Sequence, residues 1–219
     1  MPSILSTKRL THIQRETFRK AGIQLVEYDA IKIENVDFKM PEYVENAIFT
    51  SKNAVQAVVK NSAEARKIKN SFCVGSKTGK ILSKNGLKPL KIGHNAADLG
   101  QFIAKYHSEK SFYFFCGDKR REELPIILEN ANIPVQEVIT YKTVLNPEKF
   151  NQDFNTVLFF SPSGIQSFVK NNDLSQKTAI CIGKTTAFEA KKHTEKVEIA
   201  VVTTVESVIE KAIELTKRR

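Results

Sequence analysis

Along this chain one block of apolar and polar positions recurs: a short apolar run, a turn of small and hydroxyl residues, then apolar residues at helical spacing. Val157-Leu158-Phe159-Phe160-Ser161-Pro162-Ser163-Gly164-Ile165 carries it most plainly, reading as a buried parallel strand, a tight turn and a helix N-terminus. Ala47-Ile48-Phe49-Thr50-Ser51-Lys52-Asn53-Ala54-Val55 repeats the order. Such a turn leaves the first N–H groups of its helix unpaired, with hydroxyls beside them and the positive end of the helix dipole behind. That makes it a seat for a carboxylate or phosphate, and two such turns give two seats.

The pattern predicts further elements in order. Residues 3–7 read as a strand and residues 11–21 as a helix, with Ile13, Phe18 and Ala21 on its inner side and Gly22 as its stop. Residues 23–28 give a second strand, and Ile31-Lys32-Ile33-Glu34 alternates like an extended segment exposed on one side. After the first hydroxyl turn, Ala54, Val55, Ala57, Val58 and Val59 mark the buried side of a helix. Residues 71–74 read as a strand that runs into the turn Gly75-Ser76-Lys77-Thr78-Gly79, with a helix over residues 80–84 halted by Asn85-Gly86. A strand over 89–92 and a helix over 96–106 follow, with Leu99, Phe102 and Ile103 inward. Strands over 111–117 and 133–138 flank a helix over 122–130.

These units repeat. Ser51 and Ser161, Ile23 and Ile133, and Lys32 and Lys142 each stand 110 residues apart, while Thr78 and Thr186 stand 108 apart. The chain is an internal duplication. Alternating strands and helices predict an α/β protein with parallel sheets covered on both faces, and in such folds ligands collect beyond the carboxyl ends of the strands. Every hydroxyl turn named above falls there. Two such rims facing each other would form a cleft.

Composition narrows the classes. With 219 residues, 41% hydrophobic and 26% charged, the chain has the make-up of a globular protein of one large domain or two small ones. No run approaches the roughly 18 apolar residues that a membrane helix needs, and the N-terminus lacks the apolar core of a signal peptide, so a cytoplasmic location and no membrane partner are expected. Cys73, Cys116 and Cys181 are far apart in apolar runs and read as buried free thiols. His12, His94, His107 and His193 share no ligand spacing, and no metal is expected. The net charge of +10 attracts something negative. Lys and Arg are scattered apart from Lys119-Arg120-Arg121 and the tail Lys217-Arg218-Arg219, with no nucleic-acid motif beside them, so a polyanionic small molecule fits better than nucleic acid.

Several fragments in this order resemble the uroporphyrinogen-III synthase family: Ile48-Phe49-Thr50-Ser51 with Asn53-Ala54-Val55, Val74-Gly75 with Thr78, Gly117 with Arg121 and Leu124, Tyr141-Lys142-Thr143-Val144, Phe160-Ser161-Pro162-Ser163-Gly164, and Ile182-Gly183-Lys184-Thr185-Thr186-Ala187. The resemblance implies two flavodoxin/Rossmann-like parallel-sheet domains that exchange pieces. One holds residues 1–28 with 148–219 and the other 41–136, joined by linker strands 29–40 and 137–147 that form a two-stranded ladder. It implies cyclisation of hydroxymethylbilane to uroporphyrinogen III with loss of water, inversion of the last ring and no cofactor. A monomer is expected.

For the site, the resemblance points to Tyr141 as the proton donor, a role that competes with simple packing of an amphipathic aromatic. Thr78, Thr185 and Thr186 match binding threonines, yet Ser and Thr at such positions also cap helices. Ser51, Ser161 and Ser163 carry the same two readings, and Arg121 and Lys184 offer charge to carboxylates. Where many members have Thr-Arg-Pro, this chain has Thr7-Lys8-Arg9; either Lys8 or Arg9 takes the arginine's part, and a lysine offers a point charge instead of a bidentate fork. The alternative function is a non-enzymatic two-domain module that closes on a small anion. A glycosyltransferase lacks its sugar-nucleotide motif, and a dehydrogenase lacks G-x-G-x-x-G after any strand.

Overall fold

An apolar run without polar alternation belongs to a strand covered on both faces, and such runs form the central strands of two sheets in a computed structural model that describes residues 2–60 and 62–217. In chain order the first elements are β1 (Ser3–Ser6), α1 (His12–Lys20), β2 (Gln24–Glu27), β3 (Ile31–Asn35), β4 (Val44–Phe49), α2 (Lys52–Val59), α3 (Ser62–Ala65) and β5 (Ile68–Val74). Next come α4 (Ser76–Lys84), β6 (Pro89–Gly93), α5 (Ala96–Tyr106), β7 (Phe112–Gly117), α6 (Glu123–Asn130) and β8 (Val135–Leu145). The last are β9 (Thr156–Phe159), α7 (Pro162–Phe168), β10 (Thr178–Cys181), α8 (Lys184–Ala190), β11 (Val197–Ile199) and α9 (Val205–Lys217).

The chain divides into two units. One runs to Lys32 and resumes at Val144; the other is Ile33–Thr143. The first contains a sheet in the order β11-β10-β9-β1-β2, every pair parallel. Its faces are covered by α7 and α8 on one side, where Ile165, Phe168, Ala187 and Ala190 meet Leu5, Val157, Phe159 and Cys181. On the other side Phe18 of α1 and Val208, Ile209 and Ala212 of α9 meet Ile4, Leu158 and Ile180. Burial of each of these side chains contributes roughly 1.5–3 kcal/mol for a large aliphatic or aromatic group.

The second sheet is ordered β3-β8-β7-β4-β5-β6, with β8 to β6 all parallel. Ala54, Val55 and Val58 of α2 and Leu82 of α4 cover Ala47, Phe49, Cys73 and Phe115. Leu99 and Ile103 of α5 and Leu124 and Leu128 of α6 cover Ile48, Phe72, Phe114 and Cys116 on the opposite face. Setting β3 aside, the orders β8-β7-β4-β5-β6 and β2-β1-β9-β10-β11 are the same arrangement built from corresponding halves of the duplication. Each sheet therefore joins the front of one repeat to the back of the other.

Several details differ from the sequence reading. Ile13 is 79% exposed, so only Phe18 anchors α1 fully, and Phe102, Ala57 and Val59 are half-buried. β8 is a single strand that continues through the stretch expected to begin a linker; β5 starts three residues earlier than read. α4 starts at Ser76 instead of residue 80, which moves Thr78 out of a turn and into a helix. β3 and β8 are neighbours, and Val36 N–H to Thr140 O (3.1 Å) with Asn146 N–H to Ala30 O (2.9 Å) gives them an antiparallel sense. Arg218 and Arg219 of the basic tail lie outside the described residues.

Candidate active site

A parallel strand delivers the chain to the carboxyl edge of its sheet, and the helix that follows begins there, so each edge collects helix N-termini. In the unit 33–143, α2 and α4 open after the adjacent strands β4 and β5. Ser51 caps α2, its hydroxyl accepting from Asn53 N–H at 3.1 Å. α4 opens at Gly75, whose φ of 83° suits a residue without Cβ, and no side chain caps it. In the other unit Ser161 caps α7, accepting from Gly164 N–H at 3.1 Å, and α8 opens at Gly183 with no side-chain cap. The duplication thus makes α2 and α7 a serine-capped pair and α4 and α8 a pair without side-chain caps.

Thr78 and Thr186 are each the third residue of their helix and are 6% and 2% exposed. Lys184 and Thr185 are exposed at the head of α8, and Ser163 is half-buried in the first turn of α7. Beside them Thr7 directly follows β1; its Oγ1 donates to Leu158 O at 2.7 Å and its side chain faces Gly164, where a Cβ would meet it at 3.4 Å. Of the two candidate cations after β1, Arg9 pairs with Asp29 at 3.7 Å, and its N–H also donates to Asp29 Oδ1 at 3.0 Å. Lys8 is exposed, and among the described residues no ion pair involves it.

Tyr141 lies on β8 where the pairing with β7 slips: Cys116 faces Ile139 but Gly117 faces Tyr141, which leaves Thr140 as an extra residue. The Thr140 hydroxyl donates to Cys116 O at 3.1 Å and fills the slip. The Tyr141 ring rests on Gly117, where any Cβ would collide with Cε2 and Cζ. Asp118 holds the strand on both sides, its N–H donating to Tyr141 O at 3.1 Å and its Oδ1 accepting from Thr143 N–H at 2.8 Å. Burial raises the phenol's pKa above its ordinary value; a hydrogen bond with Ser51 offsets part of that, and Cys116 and Asp118 add to the rise.

Arg120 and Arg121 follow in the same loop and differ. Arg120 is tied by 2.6 Å ion pairs to Glu122 and Glu137, and Arg121 is exposed with no ion pair among the described residues. Ser51 and Tyr141 are therefore brought together, with Thr78 and Arg121 on the same sheet edge; Lys8, Ser161, Ser163, Lys184, Thr185 and Thr186 share the edge of the other unit. Sequence reasoning missed Thr7 and Asp118; the signal available was a polar residue directly after an apolar strand in each case. A hollow of about 390 Å³ on this unit lies towards the far end of α2, lined by Val36, Phe38, Met40, Val58 and Lys60, apart from these groups.

All three cysteines are buried free thiols, and burial pushes Cys73 up to about 11 and Cys116 and Cys181 up to about 12. Among the described residues no group of three or more His, Cys, Asp or Glu is arranged to hold a metal, and no helix is long and apolar enough to cross a membrane.

Two parallel sheets with interleaved repeats and helix N-termini gathered at their carboxyl edges define a duplicated α/β protein. A family model described as uroporphyrinogen-III synthase HemD matches residues 14–210. The chain belongs to the uroporphyrinogen-III synthase family. It is similar to the porphyrin biosynthesis protein HemD of Ruminiclostridium josui, with 28% identity over 230 residues covering 91% of this chain and 45% of that protein. It thus spans about half the length of that curated relative. Its fold is similar to the crystal structure of uroporphyrinogen-III synthetase from Helicobacter pylori 26695, with a TM-score of 0.76, 20% identity and coverage of 98% of this chain and 100% of the other. A mutant uroporphyrinogen III synthase from the extremely thermophilic bacterium Thermus thermophilus has a TM-score of 0.65 at 13% identity, each chain covered over 100%. The non-enzymatic binding module is not supported.

Proposed function

We propose that this chain closes hydroxymethylbilane into uroporphyrinogen III, losing water and inverting the last pyrrole ring. The observation that carries the reading is Tyr141, laid on Gly117 at the end of β7 with Ser51 beside its phenol, in a chain of this family. A half-buried phenol whose pKa is raised stays protonated at neutral pH and donates to the leaving hydroxyl. The pyrrole nitrogens push out water to give an azafulvene, and the substituted carbon of the last ring attacks it to form a spiro intermediate. That intermediate reopens and closes at the free position. No cofactor enters this sequence, so the protein's main contribution is to hold the thread in the folded pose.

The substrate carries an acetate and a propionate on every pyrrole. The uncapped N-termini of α4 and α8 offer N–H groups to such carboxylates, with the hydroxyls of Ser51, Thr78, Ser161, Ser163, Thr185 and Thr186 close by. Arg121, Lys184 and Lys8 are the exposed cations, and Lys8 takes the part left open between it and Arg9, since Arg9 is engaged with Asp29. The same reading has the protein act as a monomer in the cytoplasm.

Incubating the protein with freshly generated hydroxymethylbilane and separating the oxidised products by isomer tests this. Type III uroporphyrin is the expected product; type I alone, which forms spontaneously, would overturn the proposal.

A further inference from the structure

The slip between β7 and β8 leaves Tyr141 on a strand whose ladder is interrupted one residue before it, and an interrupted ladder does not by itself hold a ring in one place. Asp118 restores the hold. Its N–H takes the carbonyl of Tyr141 itself at 3.1 Å, and its carboxylate takes the N–H of Thr143 at 2.8 Å, so one residue grips β8 at the tyrosine and two residues beyond it. Gly117, immediately before, supplies the floor under the ring, and no other residue type leaves room for it. Resting on the function proposed above, we propose that Asp118 is a positioning residue that fixes β8 beyond the slip and so keeps the Tyr141 phenol over Gly117.

The carboxylate of Asp118 is exposed and reaches Thr143 through a backbone hydrogen bond, a role that an amide oxygen performs equally well. Asp118→Asn keeps that acceptor, and Asp118→Ala removes it. The experiment compares the two variants by steady-state kinetics and by NMR of protein labelled at tyrosine Cζ, with the Tyr141 signal assigned through Tyr141→Phe. Asp118→Ala should lower kcat roughly tenfold, within the hundredfold that a misplacement of about 1 Å can cost, with KM changed less than about twofold. Its Tyr141 signal should shift and broaden while the signals of the buried Tyr28 stay in place. Asp118→Asn should restore both the rate and the signal.

A wild-type Tyr141 signal in Asp118→Ala would overturn the proposal, as would Asp118→Asn being as impaired as Asp118→Ala, which would give the charge itself a direct role. The NMR arm stands whether or not the protein forms the type III isomer. A failure of the proposed activity is therefore distinguished from a failure of the positioning role.

Discussion

In the role proposed for it, the Tyr141 phenol has only to remain protonated and in place, and its neighbours favour both. Burial keeps the proton on, and Gly117 fixes the plane of the ring. Replacing Tyr141 by Phe keeps the ring and its packing and removes the hydroxyl with its hydrogen bond to Ser51. We expect kcat to fall by about 10²-fold, the low end of general acid catalysis, with KM within about twofold. Because the phenol is raised from its ordinary value, near 10, the wild-type rate should hold through about pH 9 and decline only above about pH 10. An unchanged rate in Tyr141→Phe would leave the ring a packing role alone. The sequence singles out Tyr141 through its family fragment, but it does not show the setting of the ring. The slip at Thr140 is a matter of pairing between two strands, and nothing in the order Val138-Ile139-Thr140-Tyr141 marks which residue is extra.

Three helices end in the same way, and the endings show which local signals survive folding. After α1, α4 and α6 the chain turns left-handed at Gly22 (φ 69°), Gly86 (φ 80°) and Asn132 (φ 54°). In each, the next residue's N–H reaches back to the helix, from Ile23 to Phe18, from Leu87 to Leu82 and from Ile133 to Leu128. The two glycines were readable as stops. Open space surrounds both, so a Cβ there costs backbone strain alone. Gly22→Ala and Gly86→Ala should each lower stability by about 1 kcal/mol, and Asn132→Gly should be neutral or stabilising by a few tenths, read as shifts in the urea midpoint at constant m. Equal losses in all three would refute this. Two misreadings have equally local causes. Ile13 and Phe18 are five residues apart, about 140° around a helix, so they cannot share a buried face. Gly79 looked like a turn, yet it lies inside α4 because a Cβ there would strike Ile92 of β6, and the helix needs that close approach.

At the scale of the molecule, the duplication was visible as a spacing of 110 residues, whereas the exchange of pieces between repeats came only from the family resemblance. No spacing reveals which strand lies beside β1. The pairing of β1 with β9 joins positions about 150 residues apart, as in the bond from Thr7 to Leu158, while every strand from β4 to β8 lies within one continuous stretch. The two units should therefore differ in autonomy. A fragment of residues 33–143 contains its whole parallel sheet and both covering helix layers, and it should fold alone with a cooperative urea transition. A fragment of residues 144–219 loses β1 from the side of its central strand β9 and exposes an unpaired apolar edge there, so it should aggregate or remain unfolded. Adding residues 1–32 through a short linker should rescue it, because the closing strands and α1 then return at high effective concentration. Circular dichroism and urea titration of the three fragments decide the matter. An isolated 144–219 fragment that folds cooperatively would mean that the exchanged strands are an addition to a finished core and not part of it.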